Sequence, residues 1–150
     1  MKNLSVKSSG KWLALGLGLV VLDQITKLLV LKGWRFEGAL FDIVFVQNTG
    51  AGFGILQGMN LALIFVYIAV FALLVWSWPR IRQGKVFYLL IIAGLVGNLV
   101  DRIRLGYVVD WFNLGWFPVF NVADSCISIG IIGYVVTELL FERKKKKSGS

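Results

Sequence analysis

Four runs of apolar residues divide the chain: Trp12–Leu31, Asn60–Trp78, Val86–Ile103 and Asn121–Phe141. Each approaches the roughly 20 residues that carry a helix across a bilayer core. The second run holds no charged residue at all, whereas the other three do. Asp23, Gln24 and Lys27 interrupt the first, Asn98, Asp101 and Arg102 end the third, and Asp124 opens the fourth. Between the first two runs, Leu40-Phe41-Asp42-Ile43-Val44-Phe45-Val46 is rich in β-branched and aromatic residues and predicts a strand. Gly50, Gly52, Gly54 and Gly58 then break regular structure. The expected fold is an all-α membrane protein with four transmembrane helices at about 12–31, 60–78, 86–103 and 121–141. A β-rich extracytoplasmic segment or cradle at about 33–58 and a basic cytoplasmic tail at 142–150 complete a single domain over 1–150.

Composition agrees with that pattern. The 150 residues are 57% hydrophobic and only 16% charged, with mean hydropathy +0.77. A soluble domain is about a quarter charged. The net charge of +8 would suggest nucleic acid in a soluble protein, but its distribution has a simpler cause. Lys2, Lys7, Lys11, Arg80, Arg82, Lys85, Arg143 and Lys144 to Lys147 all fall on one side of the predicted membrane, against Lys32, Arg35 and Arg104 on the other. That asymmetry places both termini in the cytoplasm and removes the need for a nucleic-acid partner. Trp12, Trp76 and Trp78 sit at inner span ends and Trp34, Trp111 and Trp116 at or beyond outer ends, as an aromatic belt requires. The first span has the basic start of a signal peptide, but Asp-Gln-x-x-Lys interrupts it and no small-residue cleavage pattern follows, so it is expected to be a retained helix.

The acids then become the informative residues. Each charge in hydrocarbon costs roughly 2.5–3.5 kcal/mol on an insertion scale. Chain direction brings Asp23, Asp101, Asp110 and Asp124 into the outer third of the bilayer, from three helices and one loop. Asp23 and Lys27, at i and i+4, are expected to pair on one helix face. Asn98 and Asp101 share a face, and Gly94 and Gly97 allow another helix to approach it. Asp110 and Asp124 have no basic residue at helical spacing. Two adjacent carboxyls share one proton, so one can accept a proton from water while the other donates to a carbonyl oxygen. Taken singly, Asp124 could be a helix N-terminal acid and Asp110 a solvated loop acid. The chain has no His to activate Ser125 or Cys126, its one cysteine forms no internal disulfide, and no metal or cofactor is expected. Gly50-x-Gly52-x-Gly54 lacks the context of a phosphate loop.

At these residues the chain resembles the lipoprotein signal peptidases, or signal peptidase II. Asp23-Gln24-Ile25-Thr26-Lys27 is similar to D-Q-x-T-K, and Asn48-Thr49-Gly50-Ala51-Gly52-Phe53-Gly54 to N-T-G-A-x-F-G. Gly97 to Arg102 resembles G-N-x-x-D-R, Val108 to Trp111 V-V-D-F, and Phe117 to Ser125 F-P-x-F-N-x-A-D-S. Five motifs in order, on three of the four spans and the two outer connections, make the resemblance specific. It implies an aspartyl endopeptidase that cuts bacterial prolipoproteins just before a diacylglyceryl-modified Cys. It places the catalytic pair at Asp110 and Asp124, and substrate-binding or supporting positions at Asp23, Lys27, Asn48, Gly54, Asn98, Asp101, Arg102, Asn121 and Ala123. It further implies four helices with an outer β-cradle and a short interfacial helix, a monomer among membrane lipids of the bacterial inner membrane, and inhibition by cyclic peptides of the globomycin type.

Read from the residues alone, two other classes stand beside this one. Intramembrane acids also mark ion-coupled transporters and proton conduits, although these tend to bind at the midplane between repeated halves, and no internal repeat is present here. A non-catalytic scaffold held by glycine-mediated helix contacts is the third, and it predicts that the acids are dispensable.

Overall fold

The computed structural model describes residues 6–50 and 56–148. Its elements run α1 (Val6–Leu31), β1 (Asp42–Asn48), α2 (Asn60–Ser77), a single 3₁₀ turn at Trp78–Arg80, α3 (Lys85–Leu105), β2 (Val108–Asn113) and α4 (Val122–Ser148). All four helices are long and apolar enough to cross a membrane. The helix of the fourth span runs on through the basic segment expected to be a tail, as far as Ser148. Among the described residues no short helix joins the cradle; residues 51–55, which include Gly54, lie outside them.

Helix α3 is the centre of the bundle and packs against α4, α1 and α2. Small residues set its distance from α4. A methyl group on Gly97 would lie 3.1 Å from the Ala123 Cβ, and one on Gly130 would lie 2.6 Å from the Phe87 carbonyl. Such stripes let helix backbones approach where lipid tails offer no hydrophobic drive to association. Helix α2 sits at the periphery and buries only Leu63. At one end its Ser77 hydroxyl hydrogen-bonds the Tyr88 hydroxyl of α3; at the other, Asn60 meets Arg102. Helix α3 ends at Gly106, whose φ of 83° is a conformation few other residues adopt, and its N–H returns to the Arg102 carbonyl at 3.2 Å.

Burial is inverted relative to a soluble protein. Leu13, Leu17, Leu61, Phe65, Ile103 and Ile132 turn outward, whereas Asp23, Lys27, Asn98, Asp101, Arg102, Asp110 and Asn121 are buried. That is the arrangement a hydrocarbon solvent imposes.

The two strands form an antiparallel sheet at one end of the bundle. Asp42 pairs with Asn113, Val46 with Asp110 and Asn48 with Val108. The register shifts between Ile43 and Val46, so Val44 and Phe45 together face Trp111 in a β-bulge. One face of the sheet is fastened to the bundle through Val30, Ile43 and Val109, with Phe45, Leu105, Tyr107 and Trp111 around them. The expected strand at 40–46 therefore lies two residues further on, and a second strand occupies a stretch read as loop.

Candidate active site

Asp110 reaches the site from β2, not from a loop. It is buried, and its neighbours Val109 and Trp111 point to the opposite face, toward the cluster on Val30. The run Val108-Val109-Asp110-Trp111-Phe112 carries the β-branched and aromatic residues of a strand, a signal hidden by the shortness of the segment. Asp124 reaches the site from the first turn of α4. Asn121 and Asp124 cap that helix reciprocally. The Asp124 N–H donates to Asn121 Oδ1 at 2.8 Å, and the Asn121 N–H to Asp124 Oδ2 at 3.2 Å. This is the geometry of a capping box, with Asn and Asp in the two roles.

Asn121 also touches Asp110, its Nδ2 donating to Oδ1 at 2.7 Å. One residue therefore contacts both carboxylates. Each acid has a second amide donor: Asn48 Nδ2 to Asp110 Oδ2 at 2.9 Å, and Asn98 Nδ2 to Asp124 Oδ1 at 2.8 Å. Burial raises the Asp110 carboxyl from its ordinary value to about 7, and the charge of Asp124 beside it pushes the same way; the amides of Asn48 and Asn121 oppose both effects.

Behind the pair lies a polar cluster from α1 and α3. Lys27 Nζ sits 2.8 Å from Asp23 Oδ2 and 2.9 Å from Asp101 Oδ2. The expected i, i+4 pair is thus part of a triad. Asp23 Oδ1 accepts the N–H of Ala123 at 2.9 Å, and Asp101 accepts the N–H of Val109 at 3.1 Å. The two acids therefore fix the backbone beside Asp124 and beside Asp110. Gln24 adds a donor to Asp101 at 2.9 Å and to the Gly97 carbonyl at 3.1 Å.

Arg102 lies apart from that triad. Its Nη2 donates to the Gly50 carbonyl at 2.6 Å and its Nη1 to Asn60 Oδ1 at 3.3 Å, while Asn60 Nδ2 returns to the Arg102 carbonyl at 3.1 Å. Its guanidinium sits 5.5 Å from the Tyr67 ring centroid. Among the described residues its Nε has no partner. Gln24, read from the sequence only as an interruption of the first run and part of a motif, and Asn60 were not expected among the site residues. Gln24 lies three residues before Lys27, a polar group in hydrocarbon on the same helical face. Asn60 reads only as the polar start of an apolar run.

Asn48, Asn98, Arg102, Asp110, Asp124, Tyr67 and Ser128 line one cavity of about 730 Å³, with Phe117, Phe120 and Ile127 along its apolar walls. Asp23, Lys27, Asp101, Asn121 and Ala123 support it from behind, and Gly54 lies outside the described residues. No cluster of three carboxylate or thiol groups able to hold a metal ion occurs among the described residues. Two carboxyls ringed by amide donors can, with one protonated and the other ionised, activate water and polarise a carbonyl.

The profile of the family described as signal peptidase (SPase) II matches residues 15–141. A lipoprotein signal peptidase of Dehalococcoides mccartyi is 38% identical over 78% of this chain and 81% of its own length. One from Caldanaerobacter subterraneus is 40% identical over 78% and 89%, respectively. A bacterial membrane enzyme solved at 2.3 Å by the in meso method superposes with a TM-score of 0.81 at 30% identity, covering 91% of this chain and 92% of that one. With the family profile spanning all four helices and the sheet, this chain belongs to the signal peptidase II family and is a bacterial multi-pass membrane protein.

Proposed function

We propose that Asp110 and Asp124 are the catalytic pair with which this chain, an aspartic endopeptidase of the lipoprotein signal peptidase family, cleaves prolipoproteins just before the lipidated cysteine. Water held between the carboxyls attacks the scissile carbonyl carbon. Its proton passes to the ionised carboxylate, while the protonated partner gives its proton to the carbonyl oxygen. The resulting diol collapses: one hydroxyl returns its proton to the carboxylate that had given one up, the carbonyl re-forms, the C–N bond breaks, and the departing amine takes a proton from the other carboxyl. The diacylglyceryl group holds the cysteine at the bilayer surface, so the scissile bond arrives at a fixed depth. Arg102, whose guanidinium lines the cavity, binds the substrate backbone. Asn98 and Asn121 orient the pair, and Asn48, expected to contact substrate, holds Asp110 as well.

The distribution of Lys and Arg supports an inner-membrane protein with cytoplasmic termini and its active site at the outer face. The protein acts as a monomer, and cyclic peptides of the globomycin type inhibit it, as the family resemblance implies. The observation that carries the reading is the single asparagine, Asn121, bonded to both carboxylates. Purified protein incubated with a lipidated prolipoprotein peptide should cut it just before the modified Cys. Full activity in Asp110→Asn or Asp124→Asn would refute the assignment, and proton-coupled flux in liposomes would favour a transporter.

A further inference from the structure

Lys27 makes its polar contacts away from Asp110 and Asp124, yet it controls what faces Asp124. It is 2% exposed, and its ammonium can only donate. Besides Asp23 and Asp101 it meets Asn98 Oδ1 at 2.9 Å. A side-chain amide can present either end to a neighbour, but an ammonium tolerates only the oxygen. The Nδ2 of Asn98 is therefore turned toward Asp124. Asn121 Nδ2 also donates to Asn98 Oδ1, at 3.2 Å, and reinforces the same orientation.

The two carboxylates are not equivalent in this frame. Asp124 stands in the first turn of a 27-residue helix, takes a backbone N–H from Asn121, and is wired through Asn98 to a cation. Asp110 stands on a strand, which has no comparable dipole, and receives two neutral amides. The groups around the pair are Asp23 and Lys27 from α1, Asn48 from β1, Asn98, Asp101 and Arg102 from α3, and Asn121 ahead of α4. The charge of Asp23 opposes the ammonium, so the contribution of Lys27 has to be isolated from it.

We propose that Lys27 is a positioning residue for the pair: by pinning Asn98 it makes Asp124 the carboxylate that carries the single negative charge, leaving the proton on Asp110.

Two variants isolate the effect. Asp23→Asn removes the opposing charge and offers one oxygen, for which Lys27 and the Ala123 N–H compete, while Lys27 keeps Asp101 and Asn98. Asp23→Asn/Lys27→Met differs only in losing the ammonium. Profiles of kcat/KM against pH should show activity failing on the acid side about one pH unit higher in the double variant than in the single one. A purely structural role lowers activity by one factor at every pH, and superimposable profiles would overturn the proposal. A second measurement needs neither substrate nor a Lys27 variant. In otherwise wild-type protein labelled with carboxyl-¹³C aspartate, one resonance should titrate near neutral pH and vanish in Asp110→Asn. Its persistence in that variant would place the proton elsewhere and overturn the assignment. This titration depends on no peptidase activity, so it stays readable if no prolipoprotein is cut, an outcome that bears on the proposed function alone.

Discussion

At the scale of single residues, the site is a problem of keeping two acids together in a medium that favours neither charge. Replacing Asp110 or Asp124 by Asn preserves shape, gives up one of the two hydrogen bonds each carboxylate accepts, and removes the proton exchange. Cleavage should fall by about 10²–10⁴-fold or more in each, with unchanged helix content by circular dichroism. The Asp110 carboxyl also makes stability depend on pH in a direction opposite to that of a salt-bridged acid. Its folded value is raised to about 7 from 3.8. Between those values the folded protein holds a proton that the unfolded chain releases, so stability is highest at the acid end and declines as pH rises through the interval. The loss is on the order of 4 kcal/mol once pH passes the upper value. Thermal unfolding of wild type and Asp110→Asn in the same detergent checks this: the decline should be present in the first and flattened in the second.

At the scale of elements, the glycines on facing helices divide into two kinds. A methyl on Gly130 would press on Phe87 and Ile91, remote from the acids. Gly130→Ala should therefore cost about 1–3 kcal/mol of stability through overpacking, with normal cleavage by the protein that remains folded. A methyl on Gly97 would lie 2.6 Å from Asp23 Oδ2, inside the cluster that holds the backbone of Ala123. Gly97→Ala should lower kcat even where the folded fraction is unchanged, and active-site titration with a tight inhibitor separates the two outcomes. The helices were legible in the sequence because hydrocarbon demands long apolar runs, and each acid stood out against that background. The second strand was not, because six residues between two helices show too short a pattern and pair with a segment sixty or more positions earlier. The partnership of Arg102 with Asn60 was hidden for the same reason: both are polar residues at span ends, and only packing reveals that they meet.

At the scale of the whole molecule, polarity is sorted into one interior seam and one end. The seam was foreseeable as a depth, since chain direction alone aligned Asp23, Asp101 and Asp124. Its wiring was not: Lys27 divides itself among Asp23, Asp101 and Asn98, where helical spacing accounts only for the first. The proposed orientation leads to a direct test. Leu40 is 85% exposed beside the sheet, and Gln83 is exposed in the connection between α2 and α3. In intact cells, a membrane-impermeant thiol reagent should modify Leu40→Cys, while Gln83→Cys should react only after permeabilisation. Cys126 is buried and contributes little background. The reverse pattern would invert the topology.

The bulge in β1 ties these scales together. Because two residues of that strand span the distance covered by Trp111 alone, the count of residues between Ile43 and Asn48 decides which way Asn48 faces. Removing Val44 would rotate every later side chain of the strand by half a turn and swing the Asn48 amide off Asp110. Substitutions in this stretch can be absorbed by repacking, but a change of length cannot. The cradle thus acts as a ruler, measuring in whole residues the reach from the membrane anchor to the proton.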